Sequence, residues 1–467
     1  MGLLGANHKK FVDALKANAA AEQKAKAANS LSGSRTGGNI AATIKQIQYT
    51  AQTVLAKYVD QYLLLKDEAS IREYFDAILE SGIAAIDTET TGLDTMICKI
   101  VGLCLYVPGK KPCYLPIGHV GHVTQTVLPG QVSKDLLKEL LDKCYEANVK
   151  WVLHNAKFDM RVINHTIGST IVPYWDTMIA ARLLNENESA ALKNLHLKYC
   201  KSQDDKALTI SNLFDGLNFA LIPMDCAYLY AAGDPIKTWE LYEFQKQHLY
   251  SGKLEGPRHV FETIEMPLIP VLAQMEDNGI YVDKEYAKSL QVKYHKLLDE
   301  AEQACYECLA KYKDKIDLYK RLTPNHKLSD PIGLGSSTQI AILLYDIFKL
   351  EPKSDKDKGK RGTGEQIISQ LDHEFPMLLL RYREMAKLIS TYVDKLPAIV
   401  NPSDGKIHCG FNAYGAATGR LSSQDPNLQN IPSHNKDIRK MFTASPGYYL
   451  VSGDYSLLSM LAVVKLS

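Results

Sequence analysis

The apolar run Ile83-Ala84-Ala85-Ile86 leads straight into two carboxylates one residue apart, Asp87-Thr88-Glu89. Side chains on an extended strand alternate between faces, so Asp87 and Glu89 point the same way. Two like charges held that close repel, and a fold that keeps them together must offset the repulsion. A hard divalent cation such as Mg²⁺ or Mn²⁺ does so, with carboxylate oxygens as its ligands. The motif therefore asks for a strand that delivers charge to one face of a sheet, and for further acids nearby. Two downstream residues stand in suitable contexts. Asp159 closes Asn155-Ala156-Lys157-Phe158-Asp159, just after the short apolar run Trp151-Val152-Leu153. Asp234 follows Tyr230 by four residues, a spacing that puts both side chains on one face of a single helix. Pro235, next in the chain, points to a bend or a helix start at that place. Any one of these acids alone reads as a helix cap or an exposed charge; the four together read as a site.

The 467 residues allow roughly two to four domains, and 46% apolar content is enough for sizeable cores. A net charge of +1 excludes a global field that draws in a polyanion, so any basic surface must be local. Nine cysteines show no even framework of spacings and follow no secretory signal, as expected for a reducing, cytoplasmic compartment. Cys305 and Cys308 form a CxxC inside a helical pattern, which reads as a plain helix face rather than a metal or redox pair. No apolar run approaches the ~18 residues of a membrane span, so no membrane partner is expected.

Composition and periodicity divide the chain. Residues 1–38 run from an Ala/Lys-rich stretch into a Ser/Gly-rich linker, expected to be flexible. Residues 39–80 carry apolar positions at helical spacing, and Gly82 stops that helical lead-in. Residues 81–250 switch to strand-like runs at 83–86, 100–107 and 112–117, then a helix at 134–145, a short strand at 151–153 and mostly helices; this is an α/β domain. Residues 251–435 are mainly helical to about 396, broken at 279–283, and then turn irregular and polar. Residues 436–467 hold a last strand pattern, 448–454, and an apolar tail. The loop 353–361 has five basic residues against two acidic ones. Taken alone it fits a solvated loop; the sharper reading is a clamp on nucleic-acid phosphates.

Asp-x-Glu, Asn-x-x-x-Asp and Tyr-x-x-x-Asp together resemble the motif set of the DEDDy 3′–5′ exonucleases. Asp87-Thr88-Glu89-Thr90-Thr91-Gly92-Leu93 and Trp175 to Leu184 are similar to the proofreading domain of family A DNA polymerases. Asp176 within the second stretch reads as a helix N-cap rather than a ligand. The resemblance covers about residues 65–250 and implies a ribonuclease H-like fold. It also implies a pair of Mg²⁺ or Mn²⁺ ions, ~3.5–4 Å apart, that clamp the scissile phosphate. By resemblance Asp87 bridges both ions, Glu89 and Asp234 hold the one carrying the nucleophilic water, and Tyr230 orients that water. Asp159 acts on the second ion through its waters. Leu93, Asn155 and Phe158 match positions that hold a single-stranded 3′ end of DNA, with Leu93 as a sequence-tolerant apolar wedge.

Thr418 to Pro432 strongly resembles the family A segment that follows the primer–template minor groove. Arg420, Asn427, Gln429 and Asn430 are donors suited to acceptors that all base pairs share. The helices from 258 to 396 then resemble the polymerase thumb, with Lys358, Lys360 and Arg361 in its DNA-gripping tip. Asp454-Tyr455-Ser456 resembles the start of the first palm carboxylate motif, which in the family continues Gln-x-Glu-x-Arg. Here the continuation is Leu457-Leu458-Ser459-Met460-Leu461, with Ser459 for the expected Glu and Leu461 for the expected Arg. The finger helix and the His-Asp motif are missing. The resemblance therefore implies an α/β exonuclease domain, a mainly helical thumb and an incomplete palm truncated by a frameshift, intron boundary or split gene. The expected activity is metal-dependent 3′–5′ DNA exonuclease action in phage-type or bacterial DNA replication. Nucleotide addition is not expected of this chain alone. A second polypeptide that completes the palm, or a non-catalytic DNA-binding remnant, is the rival reading.

Overall fold

The structure, a computed structural model, describes residues 40–200, 214, 216–415 and 419–453. It forms two compact units. The first comprises the described residues to Asp277 together with Ala413–Leu421; the second runs from Asn278 to Asn412 and resumes at Ser422.

The first unit is built on six strands: β1 (Leu63–Leu64), β2 (Ile83–Thr90), β3 (Ile100–Tyr106), β4 (Cys113–Pro116), β5 (Lys150–Leu153) and β6 (Pro173–Asp176). They lie side by side in the order β1-β4-β3-β2-β5-β6. β2 pairs antiparallel with β3 and parallel with β5, so the strand carrying Asp87 and Glu89 sits inside the sheet. Six of the seven β3 residues are buried, which is why Ile100 to Tyr106 reads as a continuous apolar run rather than an alternating one. Leu103 and Leu105 enter one core and Cys104 the other, so the sheet separates two apolar layers. Gly102 is obligatory in β3: a Cβ there would lie 2.0 Å from the Tyr114 hydroxyl. That hydroxyl is tied down by His119 Nε2 at 2.7 Å, and His119 Nδ1 contacts the Ile222 carbonyl at 2.8 Å.

The helical lead-in departs from the sequence reading. It is two helices, Ile40–Val54 and Glu68–Ser81, with β1 between them pairing parallel to β4. A two-residue strand has no period to detect. The second helix follows its signals: Asp67 accepts from Ser70 N–H as N-cap, and Gly82 ends it at φ 65°. Its buried stripe is Ile71, Tyr74, Phe75 and Ile78, at the i, i+3, i+4, i+7 spacing of one helix face. β2 also runs further than Ile83–Ile86. It continues through the acidic motif to Thr90, with a register irregularity between Glu89 and Thr90.

The helix Ala156–Ile167 carries Asp159 and is anchored by a buried ionic cluster. Glu276, 3% exposed, takes Lys157 Nζ and Arg161 Nη1, each at 2.5 Å. Arg161 Nε also donates to Asp277 Oδ1 at 2.7 Å. Nearly buried charges are tolerable only when so paired.

The second unit is mainly helical. Its longest element, Lys284–Ala310, starts at an Asp283 cap that accepts from Tyr286 N–H. It packs on Glu374–Leu388. Cys305 and Cys308 are buried in this core beside Leu343, Ile368 and Phe375, as a plain helix face predicts. Three short strands, β7 (Ile280–Val282), β8 (Lys406–Ile407) and β11 (Phe442–Thr443), pair in the order β11-β7-β8. β9 (Gly410–Asn412) pairs antiparallel with β10 (Ser422–Gln424). No described helix is long and apolar enough to cross a membrane. The expected linker within 1–38 and Asp454 with its tail lie outside the described residues. The strand expected over 448–454 does not form in its described part: residues 448–453 are exposed and irregular, because an apolar run becomes a strand only where a neighbouring strand takes up its backbone hydrogen bonds.

Replacing Glu276 with Ala leaves Arg161 and Lys157 short of their shared counter-charge. The expected loss is about 3 kcal/mol of stability in the first unit. A lowered urea midpoint by tryptophan fluorescence checks it, because Trp151, Trp175 and Trp239, the chain's three tryptophans, all lie in this unit.

Candidate metal centre

Asp87, Glu89 and Asp234 each offer a carboxylate oxygen, and the three oxygens lie within 4.8 Å of one another. β2 aims the first two by its two-residue period. Asp234 comes from the first turn of the helix Gly233–Leu249. The preceding helix, Met224–Ala231, stops just before, so Tyr230 and Asp234 sit on successive helices rather than on one continuous helix. Pro235 accounts for the break, since proline is accommodated only in a first turn, where its missing N–H is not needed. The N-terminal end of a helix also favours negative charge. Three hard oxygens converging in a half-buried pocket fit a divalent cation better than any other charge partner.

The fourth acid takes a different position. Asp159 Oδ1 accepts from the Thr88 hydroxyl at 2.5 Å and stands outside the tight triple. Its charge is still felt at Asp87.

The electrostatics follow from this crowding. Burial, then Asp159, Glu89 and Asp234, push the Asp87 carboxyl well above the usual range. Burial and Asp234 raise Glu89 to about 8. Burial raises Asp159 to about 7 against the stabilising Thr88 hydroxyl. Asp234 goes the other way: burial alone would raise it, but Lys237 and Lys193 together hold it below the usual value. Lys237 Nζ donates to Asp234 Oδ1 at 2.8 Å, and Lys193 Nζ lies 3.6 Å from Asp234 Oδ2. Sequence reading missed both lysines. Lys237 was detectable as an i, i+3 partner on one helix; Lys193, on the helix Leu192–Tyr199, carried no local signal.

Asp176 caps the helix Thr177–Leu184 as predicted, accepting from Met178 N–H at 2.8 Å. It has a second role that the sequence did not reveal. The same carboxylate accepts from Asn155 N–H at 3.1 Å and Ala156 N–H at 2.7 Å. One acid therefore pins the starts of two helices, including the one that carries Asp159. Asn155 is held at φ 67°, a left-handed conformation that Asn tolerates better than most residues. Its side chain is exposed, Phe158 is half-buried, and Leu93, after β2, is 90% exposed.

The other sequence-predicted contacts are on the surface. Lys358, Lys360, Arg361, Arg420, Asn427, Gln429 and Asn430 are all exposed. Several are internally engaged. Arg361 forks onto Asp346 at 2.7 and 2.6 Å, and Lys360 pairs with Asp357 at 2.7 Å. The Asn427 side-chain oxygen accepts from Gln429 N–H, and the Gln429 side-chain oxygen accepts from Ser423 N–H. These two amides brace their own turn. Asp454 and Tyr455 lie outside the described residues.

A mixed sheet with paired acids on an inner strand and a third acid at a helix N-terminus defines an α/β domain of the exonuclease class, here followed by a mainly helical unit. Residues 62–249 match the sequence profile described as 3′-5′ exonuclease, and residues 297–467 match that of DNA polymerase family A. The chain belongs to the family A DNA polymerases, with an exonuclease domain followed by polymerase sequence. It is 32% identical to DNA polymerase I of Pseudomonas aeruginosa over 433 residues, covering 89% of this chain and 44% of that protein. It is 30% identical to DNA polymerase I of Chloroflexus aurantiacus, covering 86% of this chain and 41% of that protein. A DNA polymerase of Bacillus phage SP01 is 27% identical, covering 78% and 44%. The chain thus spans about two-fifths of the length of these relatives. The polymerase domain of Pol1 from M. smegmatis, solved with DNA primer-template and dNTP, shares the fold. Its TM-score is 0.61 at 23% identity, covering 82% of this chain and 59% of that one.

The raised carboxyls make a pH prediction. Glu89 and Asp159 carry their protons more firmly in the fold than in the unfolded chain, where they titrate near 4. Without metal, stability therefore falls as pH rises from about 4 to 8. Asp234, held low, contributes stability that is lost only as pH falls below the ordinary carboxylate value. Thermal melts in EDTA should show a melting temperature lower at pH 8 than at pH 5.5, and Mn²⁺ should raise it more at pH 8.

Proposed function

We propose that the chain is a metal-dependent 3′–5′ exonuclease that hydrolyses the terminal phosphodiester of single-stranded DNA. The observation that carries this reading is the convergence of Asp87, Glu89 and Asp234 within 4.8 Å. Asp87, Glu89 and Asp234 would hold a pair of divalent ions, Mg²⁺ or Mn²⁺, with Asp159 beside them. Such ions supply Lewis-acid stabilisation of the phosphate and a water acidic enough to attack near neutral pH. The protein's own side chains do the rest. The Tyr230 hydroxyl orients the attacking water. Exposed Leu93 wedges against a terminal base, and Asn155 and Phe158 hold the frayed end. Stacking and apolar contact tolerate any base, as an enzyme that removes any nucleotide needs.

The region 81–250 forms the exonuclease domain, and 251–435 forms a thumb and palm-entry segment for primer–template duplex. Support for the second assignment comes from the family match and from the exposed cations of the 353–361 loop. Arg420, Asn427, Gln429 and Asn430 face the minor groove in this reading. Among Lys358, Lys360 and Arg361, the ion pairs of the last two with Asp357 and Asp346 leave Lys358 the more available for a phosphate.

Asp87→Ala removes one ligand and leaves the fold in place. It is expected to lower Mg²⁺-dependent release of nucleotides from a labelled single strand by at least about 10³-fold, the scale of losing charge stabilisation in the transition state. Binding of the same strand in EDTA should persist. Degradation at the wild-type rate would sink the site assignment. For the duplex site, Lys358→Ala should flatten the plot of log affinity against log salt by about 0.9, one phosphate contact. Arg361→Ala should flatten it less, because its guanidinium is already neutralised by Asp346.

A further inference from the structure

Lys193 reaches both the Tyr230 hydroxyl and one acid of the centre, Asp234. Its ammonium donates to the Tyr230 hydroxyl oxygen at 2.7 Å, lies 4.0 Å from the centre of the Tyr230 ring and stands 3.6 Å from Asp234 Oδ2. Its side chain is 30% exposed, so the charge is only partly screened. A purely structural ion pair does not need this geometry, because Asp234 already has Lys237 at 2.8 Å.

An ammonium has three donors and no acceptor, whereas a phenol has one donor and a lone-pair oxygen. Donation from Lys193 occupies the Tyr230 oxygen and turns its own O–H proton away. We propose that Lys193 is a positioning residue of the exonuclease centre: it commits Tyr230 to donate its proton toward the reacting water or phosphate oxygen. The same ammonium repels cations, so it also weakens metal binding at Asp234. The proposal rests on the exonuclease reading above.

The test uses the full chain, a labelled single strand and Mn²⁺. Lys193→Met removes charge and donors but keeps a long stem; Lys193→Arg keeps both. Lys193→Met should lower kcat about 10–100-fold, the usual loss when a residue that orients another is removed, with KM changed by less than about threefold. Lys193→Arg should recover most of the loss. In a Tyr230→Phe background, where there is no hydroxyl to orient, Lys193→Met should have little further effect on kcat. Mn²⁺ affinity, read by electron paramagnetic resonance, should rise about fivefold in Lys193→Met, opposite to the change in turnover. An unchanged kcat, a rise in KM alone, full additivity with Tyr230→Phe, or a fall in Mn²⁺ affinity overturns the proposal while wild-type degradation stands. Absence of Mn²⁺-dependent degradation by the wild-type chain overturns the exonuclease reading and this proposal with it.

Discussion

Repulsion among Asp87, Glu89 and Asp234 is the constraint around which the first unit is organised. Three carboxylates within 4.8 Å are unfavourable in a half-buried setting, and each structural device near them answers that cost. The sheet fixes two of the acids where they cannot relax apart. A helix N-terminus meets the third. Lys193 and Lys237 reach in from the side, and burial first, with the neighbouring acids second, raises the carboxyls of Asp87 and Glu89. Such an arrangement persists only if the surrounding fold over-determines it, and only a cation relieves it fully.

The over-determination is visible in the polar interior. Asp176 holds the starts of two helices with one carboxylate. Glu276 and Asp277 grip Lys157 and Arg161, which flank Asp159 on its helix. Asp159 is therefore held from both sides. Its position is set by ionic and hydrogen-bonding groups rather than by apolar packing alone, which fixes direction as well as distance.

Much of this was readable in the chain. The paired acids, the strand that carries them, the helix stop at Gly82, the cap at Asp176 and the helix start at Pro235 are local, and each has a local physical cause. The bare CxxC was also read correctly, because two thiols at helical spacing in an apolar pattern suit a core. What escaped was non-local or too short to be periodic. β1 is two residues long and is recognisable only by its pairing with β4. Asn427 and Gln429 have the chemistry of groove-reading donors, yet their oxygens are used to brace their own turn, which composition cannot disclose.

The sequence by itself determined that Asp87 and Glu89 share one face of β2, because a period of two is imposed by backbone geometry alone. It determined that acids from separate segments would have to meet. Only the tertiary structure decided how they meet: Asp234 joins the pair from β2, and Asp159 turns to Thr88. It alone brought Lys193 to Tyr230. Side-chain direction is local, but contact between distant segments depends on how helices dock on the sheet, and no spacing along the chain encodes that.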